Sequence, residues 1–251
     1  MNTLQAGERI HQVEAVVFDK DGTLIDFHHL WSGKARATVA ALLERYPGHP
    51  ELGDALFRSL GYDPAGRTTA ADSPLAVSPM ETLETVIAVV LYQAGIAWHP
   101  AQDAARETFG EFARALPRRD QLKPIGDLPG LFETLKTAGI RIAVATSDDR
   151  AATLETLRLL GLTSRVDALV CGDDPLAAKP DPEGLHHLAE QLGVPTAALL
   201  MVGDSVCDLQ TGRNAGVACC VGVTSGTANA KRLAADADVV LDTVHDLRLL
   251  P

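Results

Sequence analysis

"VVFDKDGTLID", residues 16–26, decides the fold. With Ala15, the residues Val16, Val17 and Phe18 make a short run that is apolar on both faces, as a strand buried in a parallel sheet is. The run passes without a break into Asp19 and Asp21, two carboxylates separated by a lysine, and then into Gly22 and Thr23. A turn accounts for Asp21-Gly22. It does not account for an acid at the very end of a buried strand, next to a second acid that repels it.

Outward from this stretch, the second half of the chain repeats the strand-then-helix pattern. "RIAVATS" (141–147), "DALVCGD" (167–173) and "AALLMVGDS" (197–205) each lead into a helical segment, and "VACCVGV" (217–223) follows; Gly161, Gly193 and Gly216 punctuate helix ends. Such alternation predicts an α/β fold with a doubly wound parallel sheet. Residues 27–119 read differently. "GKARATVAALLERY", "PELGDALFRSLG", "SPMETLETVIAVVLYQAG" and "AQDAARETFGEFARAL" all have helical spacing with no strand between them, and a polar loop, "GRTTAADSPLAVS" (66–78), divides the block. The expected organisation is an α/β core of residues 1–26 and 120–251 with a helical insert at 27–119.

Composition narrows the classes of function. The 251 residues are 46% hydrophobic and carry 33 acidic against 22 basic side chains, a net charge of −11. That balance argues against nucleic acid or an anionic membrane as the main partner, and not against a small anionic ligand. Cys171, Cys207, Cys219 and Cys220 lack metal or redox spacing and read as reduced, packed thiols. "MNTLQAGERIHQ" has no apolar signal-like core, and the run near Val86–Tyr92 is too short to span a bilayer. A cytoplasmic protein is expected; the oligomeric state is left open.

In open parallel sheets ligands bind beyond the carboxyl ends of the strands. Asp19 and Asp21, then Thr146 and Ser147, then Gly203, Asp204 and Ser205 all fall there, with Lys179 in a loop after the strand ending near Gly172. Taken singly, Thr146, Ser147 or Asp148 would serve as a helix cap, Lys179 as a solvated cation, and Asp204 and Asp208 as first-turn charges. Asp19 does not reduce in this way. If Asp19, Asp21, Asp204 and Asp208 converge, each close pair repels by roughly 4 kcal/mol at an effective dielectric near 20. One lysine does not offset that. A divalent cation does, and ligation by oxygens alone suits Mg²⁺. Lys179, the Thr146 hydroxyl and the N–H groups near Gly22 and Ser147 would then receive a phosphate.

D-K-D-G-T (19–23), the Thr at 146, K-P (179–180) and G-D-x-x-x-D (203–208) together resemble the haloacid dehalogenase-like superfamily, in its phosphoglycolate phosphatase-like branch with a helical cap. The resemblance implies a Mg²⁺-dependent phosphatase acting on a small phosphorylated metabolite. Asp19 would be the nucleophile that forms an aspartyl-phosphate, and Asp21 the general acid and base. Thr146 and Lys179 would hold the phosphoryl oxygens. The metal would be held by Asp19, the Asp21 carbonyl and Asp204, with Asp208 assisting directly or through water, and Asp173 or Asp174 are equally surface residues or contributors. His28, His29, Trp31, Arg67, Asp72 and Ser73 are candidate substrate contacts of the cap, though His28 and Trp31 read better as ordinary hinge and packing residues. His186 and His187 receive no role. The same residues fit a sugar-phosphate mutase of the β-phosphoglucomutase kind. A non-enzymatic aspartyl-phosphate signalling module lacks both the D-x-D-G-T spacing and the insert.

Overall fold

The computed structural model describes residues 2–250. It opens with β1 (Asn2–Ala6), β2 (Arg9–Val13) and β3 (Ala15–Phe18). A helical stretch follows: α1 (Phe27–Arg45), α2 (Leu52–Leu60), the small hairpin β4 (Tyr62–Asp63) and β5 (Thr68–Thr69), α3 (Pro74–Val77), α4 (Met80–Gln93) and α5 (Trp98–Phe112). Alternation resumes with α6 (Leu128–Thr137), β6 (Arg141–Ala145), α7 (Arg150–Leu159), β7 (Ala168–Val170) and α8 (Glu183–Leu192). It ends with β8 (Leu199–Gly203), α9 (Val206–Ala215), β9 (Cys219–Val223), α10 (Ala230–Leu233), β10 (Val239–Leu241) and β11 (Leu247–Leu249).

Six strands form one parallel sheet in the order β10-β9-β8-β3-β6-β7. From β3 the chain adds β6 and β7 on one side, then returns to add β8, β9 and β10 on the other. Connections therefore diverge at the carboxyl end of β3, where a doubly wound sheet opens its crevice. Register makes the convergence concrete. Phe18 lies opposite Val144 of β6 and Val202 of β8, so Asp19, Thr146 and Asp204 all stand just beyond one sheet edge.

Both faces of β3 are buried, which is why it shows no polar alternation. Val16 and Phe18 pack with Leu128, Phe132 and Leu135 of α6, while Ala15 and Val17 pack with Leu185, Leu188 and Leu192 of α8. The helical stretch has a core of its own. Leu30, Val39 and Leu42 of α1, Leu56 and Leu60 of α2, Leu83, Ile87 and Leu91 of α4, and Ala101, Ala105 and Phe109 of α5 share it. Its two connections to the sheet run side by side: Ile25 bridges Pro124, and the Asp26 N–H donates to the Lys123 carbonyl at 2.8 Å.

Two expectations need correction. The helical block does contain strands, because Tyr62 and Thr69 pair across a tight turn. The chain ends also form a second sheet, β11-β1-β2, antiparallel throughout. Leu4, Ala6 and Val13 are buried in it, with Ala6 opposite Arg9 across a Gly7-Glu8 turn whose glycine has φ +58°. The alternation here is too short to announce a strand pair in the sequence. All four cysteines are free thiols, three of them buried. Among the described residues no helix is long and apolar enough to cross a membrane.

Candidate active site

Asp19 continues the β3 ladder, its N–H donating to the Val202 carbonyl at 2.8 Å, and this fixes its carboxylate over the sheet edge. There it meets Asp204, from the end of β8, and Asp208, in the first turn of α9. One carboxylate oxygen from each lies within 4.8 Å of the others, and all three residues are buried. Lys179 reaches in from the loop after β7; its Nζ donates to Asp19 Oδ1 at 2.9 Å, Asp208 Oδ1 at 2.6 Å and the Ala145 carbonyl at 2.7 Å. One cation thus faces three acids.

The oxygens are not used alike. Asp208 Oδ2 accepts from the Ser205 N–H and hydroxyl at 3.1 and 2.6 Å, closing a capping box, while its Oδ1 takes Lys179. Asp19 meets donors through Oδ1 and Asp204 through Oδ2, which accepts from the Thr227 N–H at 2.8 Å and hydroxyl at 3.3 Å. That leaves a second oxygen on each of Asp19 and Asp204 for another partner. The backbone crowds Asp204 from two sides. A Cβ on Gly22, whose φ is +95°, or on Gly226 would overlap its carboxylate.

Burial pushes the Asp19 carboxyl up to about 7; Lys179 opposes this and Asp208 and Asp21 add to it. Asp204 is likewise raised well above its ordinary value, first by burial and then by Asp19 and Asp208. Burial would lower Lys179, but Asp19 and Asp208 more than offset it and hold the ammonium above its usual range. The cluster itself offers carboxylate oxygens alone, with spare ones on the two raised acids, and this fits Mg²⁺; Cys207 also lines the cavity but is not part of the cluster.

Lys20 is the unanticipated member. It is 1% exposed, and its Nζ lies 2.6 Å from Asp21 Oδ2 and 2.9 Å from Asp148 Oδ2. Burial would lower this ammonium as well; Asp148 and Asp21 raise it instead. Lys20 therefore ties the second acid of the motif to the loop after β6. In that loop the Thr146 hydroxyl accepts from the Asp148 N–H at 3.1 Å, and the Ser147 hydroxyl donates to the Val77 carbonyl at 3.4 Å.

Asp19, Asp21, Thr146, Ser147, Lys179, Asp204 and Asp208 line one cavity of about 40 Å³. Gly22 does not offer the N–H expected of it, since that group donates to the Ile25 carbonyl at 2.6 Å; its contribution is room for Asp204. Among the candidates of the insert only Trp31 lines the cavity. His29 contacts the Asp120 carbonyl, Arg67 is exposed, Asp72 pairs with Arg232, and Ser73 packs beneath Gly61. The rest of the insert's wall comes from Phe27 of α1 and from α3 and the first turns of α4, inside and after the polar loop. Asp173 and Asp174 face Arg150, away from the three acids. The T-S-G-T stretch (224–227) is a further part of the site that the sequence reading does not include. Ser225 donates to the Gly22 carbonyl at 2.7 Å and Thr227 holds Asp204, and its place just after "VACCVGV" was the available signal.

Comparison with known proteins places the chain in a family. The family model of haloacid dehalogenase-like hydrolases matches residues 13–216. A phosphoglycolate phosphatase of Neisseria meningitidis is 30% identical over 90% of this chain and 87% of its own length. A plasmid-borne phosphoglycolate phosphatase of Cupriavidus necator is 38% identical, but over 46% of this chain and 50% of its own, so the chain matches only half the length of that relative. Among solved structures, one assigned to the haloacid dehalogenase-like hydrolases of Bacteroides fragilis superposes with a TM-score of 0.67 at 25% identity, covering 92% of this chain and 98% of its own. One described as a β-phosphoglucomutase of Thermotoga maritima gives 0.61, also at 25% identity, over 91% and 94%. The chain belongs to the haloacid dehalogenase-like hydrolases, in their phosphoglycolate phosphatase-like branch.

Proposed function

We propose that the protein is a Mg²⁺-dependent phosphatase of small phosphomonoesters, working through an aspartyl-phosphate on Asp19. The observation that carries this reading is the gathering of Asp19, Asp204 and Asp208 with Lys179 at one sheet edge, with an oxygen of Asp19 free of hydrogen-bond donors. Asp19 attacks phosphorus and the bond to the alkoxide breaks. Asp21, held beside the cavity by Lys20, protonates the departing oxygen. A water then attacks the aspartyl-phosphate, Asp21 takes its proton, and phosphate leaves with Asp19 restored. Thr146, Ser147 and Lys179 hold the non-bridging oxygens. Mg²⁺ bound to Asp19, the Asp21 carbonyl and Asp204 would neutralise the phosphoryl charge, with Asp208 acting from behind through Lys179 and Ser205. Residues 27–119 act as a cap over a core of 1–26 and 120–251. The cavity is narrow, and a shift of that cap would widen it for substrate, with the paired segments at Ile25 and Pro124 as the natural hinge. Four free thiols suit a reducing, cytoplasmic setting.

The likeness to a β-phosphoglucomutase fold supports a mutase as the rival reading, and the balance of products separates the two. Wild type with Mg²⁺ should release inorganic phosphate from several monoesters. EDTA should abolish release, and Asp19→Asn should lower it by about three orders of magnitude or more. Near-normal turnover in Asp19→Asn would remove the nucleophile assignment; isomerised sugar phosphate without net phosphate would favour the mutase.

A further inference from the structure

The cavity has a second wall, and it is apolar. The insert supplies Phe27, Trp31, Leu75, Val77, Met80 and Leu83 to it; Ser78 and Trp31 are its lining residues with a polar side-chain group, and Trp31 Nε1 is buried without a hydrogen-bond partner. No lysine, arginine or histidine of the insert lines the cavity. The cations nearby are committed elsewhere. Lys34 lies 5.0 Å from the Trp31 ring centroid, but its Nζ donates to the Ala113 and Ala115 carbonyls at 2.6 and 3.3 Å. Arg114 binds Glu84 at 2.8 Å and Asp149 at 2.6 Å. Arg232, from the core, is held by Asp72.

The electrostatics of the opposite wall point the same way. Five carboxylates line the cavity, Asp19, Asp21, Asp148, Asp204 and Asp208, against Lys179 in the wall and Lys20 behind it. Even with a divalent cation bound, a dianionic phosphoryl group leaves the site net negative. A second anion on the substrate would be repelled by the core wall and desolvated by the apolar one, with no cation to pair with.

Resting on the phosphatase reading above, we infer that the substrate is the phosphomonoester of an uncharged, largely apolar alcohol, and that esters bearing a second anionic group, phosphoglycolate among them, are poor substrates. The carbon skeleton packs against Leu75, Val77, Met80 and Leu83, and an uncharged acceptor meets Trp31 Nε1. The core wall supplies the phosphoryl chemistry; the insert's wall sets the alcohol.

The test compares kcat/KM of the wild-type enzyme with Mg²⁺ on phosphoglycolate and on isobutyl phosphate, whose two methyl groups stand where phosphoglycolate has carboxylate oxygens. Glycolate is the better leaving group, so chemistry alone favours phosphoglycolate. A preference for isobutyl phosphate of at least about tenfold is expected. In Leu75→Arg, which places a cation in the wall, the ratio should move toward phosphoglycolate by a similar factor. Efficient phosphate release from both esters with phosphoglycolate equal or preferred would overturn the inference while leaving the phosphatase standing. No release from any monoester would remove both.

Discussion

The sheet side of the cavity and the helical side are made of opposite materials. On the proposed reading the charged residues at the sheet edge are fixed in identity and place, because a cation, a phosphoryl group and a nucleophile would each need particular atoms at particular positions. The insert contributes carbon. Its wall needs only shape and dryness, which many apolar side chains supply equally well. The two sides therefore fail differently when altered. A change at the sheet edge removes chemistry or uncovers a buried charge, whereas a change in the insert shifts which alcohol fits.

The largest effect separating the two walls should come from Asp21→Asn. Alkyl phosphates, whose leaving oxygen needs a proton, should lose about 10²–10⁴-fold in kcat, while p-nitrophenyl phosphate, whose leaving group needs little help, should lose much less. Steady-state kinetics on both esters decide it. Equal losses would mean that Asp21 acts by position or charge and not as an acid.

Next comes Lys20→Met, which sharpens the claim that the sheet edge is held by paired charge. The substitution strands Asp21 and Asp148 without their shared ammonium, and breaking a buried pair of this kind costs about 3–5 kcal/mol. Urea unfolding should show the midpoint falling with the slope unchanged. A loss no greater than that of a surface lysine would show that the three groups are solvated after all.

How far each wall could be read in the sequence follows from the same contrast. D-K-D-G-T, Thr146 and G-D-x-x-x-D were legible because each lies at or directly after the end of a strand that is apolar on both faces, and parallel strands bring such ends to one edge; Lys179 was legible only from its place in the loop after the next such strand. Lys20 was passed over, because nothing in one dimension says that a lysine between two aspartates turns inward to Asp148. Leu75, Val77 and Met80 were hidden for another reason. They sit in and beside a stretch rich in Thr, Asp and Ser, and the four-residue α3 is too short to declare a face. The β1–β2 hairpin and β10 and β11 carry only a few buried positions each, below what alternation can signal.

A smaller effect tests the electrostatics of the sheet edge without any substitution. Asp19, raised to about 7, and Asp204, also raised, bind protons more tightly folded than at their ordinary value of 3.8. The folded state thus holds more protons across that range, and without metal its stability falls as pH rises from about 4 to about 7. Asp26 and Asp148, which are lowered, act in the opposite sense but at more acid pH. Thermal midpoints in EDTA should decline across the window. Mg²⁺ should raise them most at its upper end, where fewer protons compete with it for the acids. A midpoint in EDTA that climbs between these pH values would contradict the repulsion on which the metal site rests.

The smallest effect belongs to the seam between the walls. Asp72 of the insert pairs with Arg232 of the core, yet these side chains are 25% and 53% exposed. Water screens such a pair, so its contribution should be about 0–1 kcal/mol and should vanish at high salt. Asp72→Asn is the clean probe, because asparagine tolerates the left-handed backbone at this position, where φ is 57°. The expected result is a barely shifted urea midpoint together with a measurable change in KM, since the pair links the insert to the core and helps set how often the cavity opens. A loss of several kcal/mol would mean that the seam is as dry as the Lys20 cluster. The insert would then be a fixed part of the core, and the contrast between a rigid chemical wall and a movable selecting wall would not hold.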